Sequence, residues 1–361
     1  MIIVDRSTSR SSVTHVSNLR RVTQQDVANK AKVSRATVSL AMHNHPSIPA
    51  ATRDRVRKIA EKLGYAPDPM MSALVSYRQT LNPASYQGTI AWLVNNAHPF
   101  DWSRVAMFKE YHQGAVGRAA KHGYKLEVFD LQSAGTTPEK LAKAFRFRKI
   151  NGVLVCPQPG PNWRLDFPWE HFSCVTFGYS LVHPQLHTVA PTQFRAMLET
   201  MRRLTQLGYS RIGFAYSFNT DERADHNFLG GYLVESYLND HQVHIPPFNE
   251  ETATADNFSK WFETHRPEAV VTGNPRLLRI IKAAGLFVPR DIGVACPTVP
   301  GMESSLAGIY ENSRHIGETA VDTLVSMIHQ GDRGVPETPH YIHVPGVWIP
   351  GKTLRASRHI A

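Results

Sequence analysis

No apolar run of roughly 18 residues, the length that spans a bilayer, occurs in this sequence, and nothing in it reads as a transmembrane helix. The first twenty residues, MIIVDRSTSRSSVTHVSNLR, break off their apolar start at Asp5 and never build the core of a secretory signal. They read as a Ser/Thr/Arg-rich tail. Cysteine is scarce. Cys156, Cys174 and Cys296 are too few and too scattered for a disulfide framework, and each ends an apolar run as a reduced core thiol does. Catalytic signatures are missing as well: no Gly-x-Ser-x-Gly elbow, no Walker loop, no Gly-x-Gly-x-x-Gly and no His-Glu-x-x-His. His241 and His244, like His340 and His343, have a spacing a metal could use, but no Cys, Asp or Glu cluster stands beside either pair. These absences argue against an enzyme, and neither a cofactor nor a metal is expected.

Charge is present, and uneven. Residues 1–80 hold 13 Lys/Arg against 5 Asp/Glu, so +8 of the net +10 lies there and only +2 in the other 281 residues. A short basic segment on a nearly neutral body is the footprint of a polyanion partner, with a merely solvated basic face as the plain alternative. Within that segment Thr23 and Asp26 have the spacing of a capping box, and Val27, Ala28 and Ala31 follow on one helical face. After a turn at Lys32 and Val33, Ser34 is a good N-cap, with Thr37 at N3 and Val38 and Ala41 facing inward. Two helices of about eight residues joined by such a turn make a helix-turn-helix, whose second helix can enter a major groove. At its cap end Arg35 offers a bidentate contact to guanine and Ala36 an apolar contact to a thymine methyl. A third helix is expected from Thr52, with Val56, Ile59, Ala60 and Leu63 inward, Gly64 closing it, and Arg53, Arg55, Arg57, Lys58 and Lys62 outward. Pro67 and Pro69 then precede MMSALVSY, a helix-prone piece too short to be stable alone and therefore a candidate to fold on binding.

The pattern VT-x-x-DVA-x-x-A-x-VS-x-x-TVS, then T-R-x-x-V and LGY-x-P, resembles the DNA-binding head of the LacI/GalR family of bacterial transcription regulators across residues 22–76. The resemblance implies that Arg35 and Ala36 read operator bases, and that Thr23, Ser34, Thr37, Ser39 and Asn44 touch or approach phosphates. It makes Met70 to Val75 a hinge helix carrying Met71, with Leu74 as the leucine that wedges into the minor groove and bends the operator. Two departures stand out. Leu40 occupies a position where many members carry arginine, and Pro69 with Met70 and Met71 is an unusual hinge.

Beyond a linker at 77–87, strand-like runs alternate with helix-like runs. The strands are TIAWLV, KLEVF, GVLVC, CVTFG, RIGFAY, AVVTG and GVACP; the helices run at about 104–122, 138–148, 193–207, 227–238, 276–284 and 312–330. Such alternation predicts parallel, doubly wound sheets, with enough units for two lobes and a ligand cleft at their strand ends. The resemblance implies the same: a body similar to periplasmic sugar-binding proteins over 88–350, with chain crossings near 190, 311 and 345. A long C-terminal heptad tail is absent, so a dimer is expected rather than a tetramer.

The family's pocket draws on an Asn-Asp pair, an acidic pair and an arginine ahead of a Gly-aromatic. Here the first reads Gly273-Asn274-Pro275, the second Cys296-Pro297-Thr298-Val299 without an acid, and Phe228 stands at the arginine position, with Arg223, His226 and Asn227 close by. Losing carboxylates weakens a sugar reading, since they are natural acceptors for hydroxyls. Asn95, Asn96, Trp102, Gln158, Tyr179, Tyr216, Arg223 and Asn274 remain at expected strand ends, of which Asn95, Gln158, Tyr179, Tyr216, Arg223 and Asn274 are the candidate effector ligands. The expected organisation is a basic tail (1–20), an all-α helix-turn-helix head (21–66), hinge and linker (67–87), a two-lobed α/β body (88–350) and a C-terminal tail (351–361). The expected function is a cytoplasmic, homodimeric transcription regulator, a repressor, that binds a pseudo-palindromic operator and responds to a small molecule such as a sugar. A solute-binding protein or an enzyme built on the two-lobed body is the alternative.

Overall fold

The computed structural model describes residues 22–42, 48–65, 86–97, 100–239 and 244–356. The chain divides into two compact units, Met1–Leu74 and Val75–Ala361.

In the first unit three short helices enclose a core of small side chains: α1 (Gln24–Ala31), α2 (Arg35–Met42) and α3 (Ala50–Lys62). α1 starts on the capping box that its sequence spacing predicts. The Thr23 N–H donates to Asp26 Oδ2 at 2.8 Å, and the Asp26 N–H donates to Thr23 Oγ1 at 3.3 Å. It stops at Lys32, whose left-handed backbone (φ 52°) turns the chain so that the Val33 N–H reaches the Ala28 carbonyl. Ser34 then caps α2, its Oγ accepting the Thr37 N–H at 3.0 Å. α3 begins at Ala50, two residues ahead of its expected start. Pro49 at the N-cap presets the backbone, and its carbonyl accepts the N–H groups of Thr52 and Arg53. Val27, Ala28, Ala31, Val38, Ala41, Val56 and Ala60 are buried together, and their small volume lets the three helices approach closely. Removing the box by Thr23→Ala is expected to cost the head about 1 kcal/mol. Amide exchange across α1 should quicken accordingly; unchanged protection would contradict it.

The second unit is a pair of α/β lobes. Its strands are β1 (Gly88–Val94), β2 (Tyr124–Asp130), β3 (Gly152–Val155), β4 (Trp163–Arg164), β5 (Ser173–Phe177), β6 (Leu181–His183), β7 (His187–Pro191), β8 (Ile212–Tyr216), β9 (Phe248–Asn249), β10 (Ala269–Thr272), β11 (Gly293–Cys296), β12 (Ala307–Tyr310), β13 (Tyr341–Val344) and β14 (Val347–Ile349). The first lobe's sheet runs β13-β7-β5-β3-β1-β2, and the second's runs β14-β12-β11-β10-β8-β9. Every pairing in both sheets is parallel except β14, which lies antiparallel on β12. Helices cover both faces: α4 (Ala106–Lys121), α5 (Pro138–Phe147), α6 (Gln193–Gln206), α7 (Phe218–Arg223), α8 (Asn227–Leu238), α9 (Ala255–His265), α10 (Arg276–Ala283) and α11 (Ser313–Gln330). Strands sandwiched this way carry continuous apolar runs, and β3, β5, β8, β10 and β11 are buried along their whole length.

The chain crosses between lobes three times: from β7 into α6, from β12 into α11, and from β13 into β14. These crossings fall where the resemblance places them. α11 returns from the second lobe to pack along α4 in the first, and the two helices meet at Gly114 and Gly317. Among the described residues no helix is long and apolar enough to cross a membrane.

Candidate functional site

The head presents one end of α2. Ser34, Arg35 and Ala36 are exposed there, while Thr37 and Ser39 are half-buried. Thr37 Oγ1 shares a 2.9 Å hydrogen bond with Ser34 Oγ, and Thr23, although exposed, spends its hydroxyl on Asp26 Oδ2 at 2.7 Å. Ser34 and Thr23 are thus cap residues as well as candidate phosphate ligands. α3 adds exposed Arg55, Lys58 and Lys62, whereas Arg53 and Arg57 are half-buried. Asn44, Met71, Leu74 and the rest of the hinge lie outside the described residues.

In the body, the carboxyl ends of the strands of both lobes face a cavity of about 300 Å³. Parallel topology puts loops from alternate strands at this edge, which is where open α/β sheets hold ligands. The first lobe contributes Phe108 and Tyr111 from α4 and Phe177 and Tyr179 from the end of β5, and the crossing from β7 into α6 contributes Gln193. The second contributes Tyr216 from the end of β8, Arg223 from α7, Phe228 from α8, and Gly273, Thr298 and Glu311 beyond β10, β11 and β12. Ring faces dominate. Tyr216 lies between Phe214 and Phe228, each 5.0 Å away centroid to centroid, and a Cβ on Gly273 would come within 2.8 Å of the Tyr216 ring, so only glycine fits there.

Of the candidate effector ligands, Tyr179, Tyr216 and Arg223 line this cavity; Asn95, Gln158 and Asn274 do not. Asn95 and Gln158 are buried and satisfy each other behind the wall. Asn95 Nδ2 donates to Gln158 Oε1 at 3.2 Å, Gln132 Nε2 donates to Asn95 Oδ1 at 2.7 Å, and Gln158 Nε2 donates to the Cys156 carbonyl at 2.7 Å. Asn274 instead closes the turn ahead of α10, its Oδ1 accepting the Arg276 N–H at 2.9 Å. Of the others weighed at strand ends, Trp102 packs against Trp92 in the core and Asn96 binds Asp130. Tyr179 holds a 2.8 Å hydrogen bond with His343 Nε2, which ties β5 to the crossing at β13.

Arg223 bridges the lobes. Its Nη2 donates to the Gln158 carbonyl at 2.7 Å and its guanidinium lies over Phe100 and Phe108, but its Nε is shut from solvent with no partner among the described residues. The Tyr216 hydroxyl is buried without a hydrogen-bonding partner too, Thr298 lying beside it out of bonding geometry, and burial drives its pKa well up. Gln193 Oε1 is a third such atom in the lining. Sequence reasoning missed Glu311. It is 4% exposed, and burial alone pushes its carboxyl up to about 8. A second buried acid, Glu250, sits behind the cavity wall and accepts from Thr272 Oγ1 at 2.9 Å; burial raises it to about 7. The signal that could have found Glu311 was the crossing near 311, because a residue at a lobe-to-lobe crossing must pass the cleft. Among the described residues no group of three His, Cys, Asp or Glu could hold a metal ion.

Residues 23–68 match the family of bacterial regulatory proteins, lacI family, and residues 201–354 match the periplasmic binding protein-like domain. Among curated relatives, the NTD biosynthesis operon regulator NtdR of Bacillus subtilis (strain 168) is 25% identical over 291 residues, 75% of this chain and 81% of that one. The HTH-type transcriptional repressor CytR of Escherichia coli (strain K12) is 31% identical over 195 residues, 53% of this chain and 52% of that one. Among solved structures, a transcriptional regulator CelR–cellobiose complex matches with a TM-score of 0.56 and 18% identity, covering 92% of this chain and 100% of that one. The lac repressor dimer bound to operator and the anti-inducer ONPF matches at 0.54 and 18%, covering 93% and 100%. A head over residues 23–68 that matches the bacterial regulatory lacI family, carried on a two-lobed parallel α/β body whose residues 201–354 match a periplasmic binding protein-like domain, makes this protein a DNA-binding transcriptional regulator.

Proposed function

We propose that the protein acts in the cytoplasm as a homodimeric repressor of a pseudo-palindromic operator, released or engaged by a small molecule in the interlobe cavity. The observation that carries the DNA half is the exposed cap end of α2, where Arg35 and Ala36 stand side by side on a unit holding most of the chain's net charge. Such a helix end can enter a major groove, with Arg35 on guanine O6 and N7 and Ala36 against a thymine methyl. Ser34, Thr37 and Ser39 then lie next to the phosphates, and the basic face of α3 adds a salt-dependent, sequence-independent attraction. The family's hinge assignment to Met71 and Leu74 belongs to this reading, as do the boundaries 21–66 for the head, 67–87 for the linker and 88–350 for the body. The repressor sense and the dimer are supported by relatives, one named as a repressor and one solved as an operator-bound dimer. The cavity carries the ligand half. Occupancy changes the angle between lobes that Arg223 and the three crossings join, and with it the affinity for DNA.

In vitro selection of DNA sites tests the proposal. The wild type should enrich a two-fold symmetric motif. Arg35→Ala should lose preference at one base pair in each half-site, by about 1–3 kcal/mol. An unchanged motif in that variant would refute the assignment of Arg35.

A further inference from the structure

The groups facing the interlobe cavity specify the charge of its ligand, and this inference rests on the cavity being the effector site. Among the described residues Arg223 is the only basic side chain in the lining and Glu311 the only acidic one. A guanidinium stays protonated in a protein, and a cation held out of water needs a counter-charge. Arg223 has none among the described residues. It meets a carbonyl and two ring faces, its Nε–H is left over, and Glu311 is not among the groups acting on it. Glu311 cannot serve as that counter-charge in any case. Its carboxyl is felt by Tyr111 on α4, Tyr216 on β8 and Cys296 on β11, all held neutral by burial, and burial alone keeps Glu311 protonated at neutral pH. The cavity therefore carries a single positive charge and unpaired donors at Arg223 Nε and Tyr216 Oη, with a neutral carboxylic acid close to Tyr216. Its walls are rings, suited to a flat or apolar body. A neutral sugar would leave the cation uncompensated, and a phosphomonoester would bring nearly two negative charges to one positive.

We propose that the cavity selects a small organic monocarboxylate, its anionic end compensating Arg223 and its flat or apolar body lying among Phe108, Tyr111 and Phe228. Glu311 in its acid form permits this; once ionised it repels the ligand.

Titration calorimetry on the full chain tests the charge class, with benzoate and phenylacetate as probes against benzamide and phenylacetamide, their uncharged isosteres, and against D-ribose and D-glucose. Both carboxylates should bind, about tenfold or more tighter than their amides, which is about 1.4 kcal/mol. Arg223→Gln should erase the preference while Arg223→Lys keeps it. Carboxylate affinity should be flat up to pH 7 and fall, by up to about tenfold per pH unit, above pH 8, where Glu311 loses its proton. That fall should be absent in Glu311→Gln. Amides or sugars binding as tightly as the carboxylates would overturn the charge class and leave the cleft reading standing. Failure of both carboxylates to bind at about 10 mM, far above ordinary effector affinities, also overturns it. Carboxylate binding undiminished in both Arg223→Gln and Phe228→Ala would put the ligand elsewhere and bring down the effector-site reading itself.

Discussion

Gly317→Ala should lower the stability of the body by about 3 kcal/mol, although glycine to alanine inside a helix ordinarily stabilises by up to about 1 kcal/mol. The sign reverses because of what the new methyl meets. A Cβ on Gly317 would stand 1.9 Å from the Tyr111 carbonyl oxygen, and one on Gly114 would stand 1.9 Å from that of Arg314. Backbone oxygens cannot swing aside as side chains do, so α4 and α11 must part along their length. Ile316, Ala320, Val321 and Leu324 would then lose their packing against Phe108, Tyr111, Ala115 and Ala119. All six tryptophans lie at 92, 102, 163, 169, 261 and 348, within the body, so urea unfolding followed by their fluorescence reads this unit alone. A midpoint at or above that of the wild type would show that the helix contact is not tight. Phe108 and Tyr111 also line the cavity, and Glu311 lies two residues before α11, so the same variant should weaken ligand binding.

Glu311→Gln should stabilise the body, and increasingly so as pH rises. In the unfolded chain a glutamate releases its proton near 4.5; in the folded chain burial holds the Glu311 proton up to about 8. Between those values the folded state binds a proton that the unfolded state has lost. The stability linked to that proton is present below about pH 4.5 and is lost as pH climbs through 8. Every tenfold difference in proton affinity between folded and unfolded chain corresponds to about 1.4 kcal/mol, so the variant should exceed the wild type by roughly 3–5 kcal/mol at pH 9 and converge with it near pH 4.5. Glu250, raised to about 7, contributes a loss of the same sign that is complete earlier in the pH range. Urea midpoints at pH 5, 7 and 9 would decide the matter. Curves for wild type and variant that stay parallel would mean that Glu311 is not held neutral. A bound carboxylate should steepen the wild-type loss above pH 8, joining this effect to the ligand reading.

The head was legible in the sequence nearly to the residue. Its signals are local: Thr23 with Asp26, Ser34 with Thr37, the turn at Lys32 and the inward spacing of Val56 and Ala60 all act within a few positions. One boundary moved, because Pro49 starts α3 before Thr52 through its fixed backbone angle rather than through a side-chain cap. In the body, the long strands and helices were read close to their bounds. Short or polar elements were not anticipated: β12, β13, β14 and the α9 segment ADNFSKWFETH. Strands of three or four residues carry too few positions to show a period, and α9 buries only Phe258 along one side.

Individual candidates at strand ends divided in the same way. Tyr179, Tyr216 and Arg223 reach the cavity, whereas Asn95 and Gln158 turn into the wall and satisfy each other. Proximity to a strand end is a sequence property; the choice of partner is not, since it depends on the residue 63 positions away that the sheet brings alongside.

By itself the sequence determined that a capped helix-turn-helix presents Arg35 and Ala36, and that an alternating α/β body follows it. Both are matters of short-range periodicity and capping. Only the tertiary structure decided that Arg223 would lie in a ring-walled cavity without a counter-charge, and that Glu311 would face that cavity as an acid. Those properties arise from desolvation, and desolvation is set by three chain crossings that bring distant segments together.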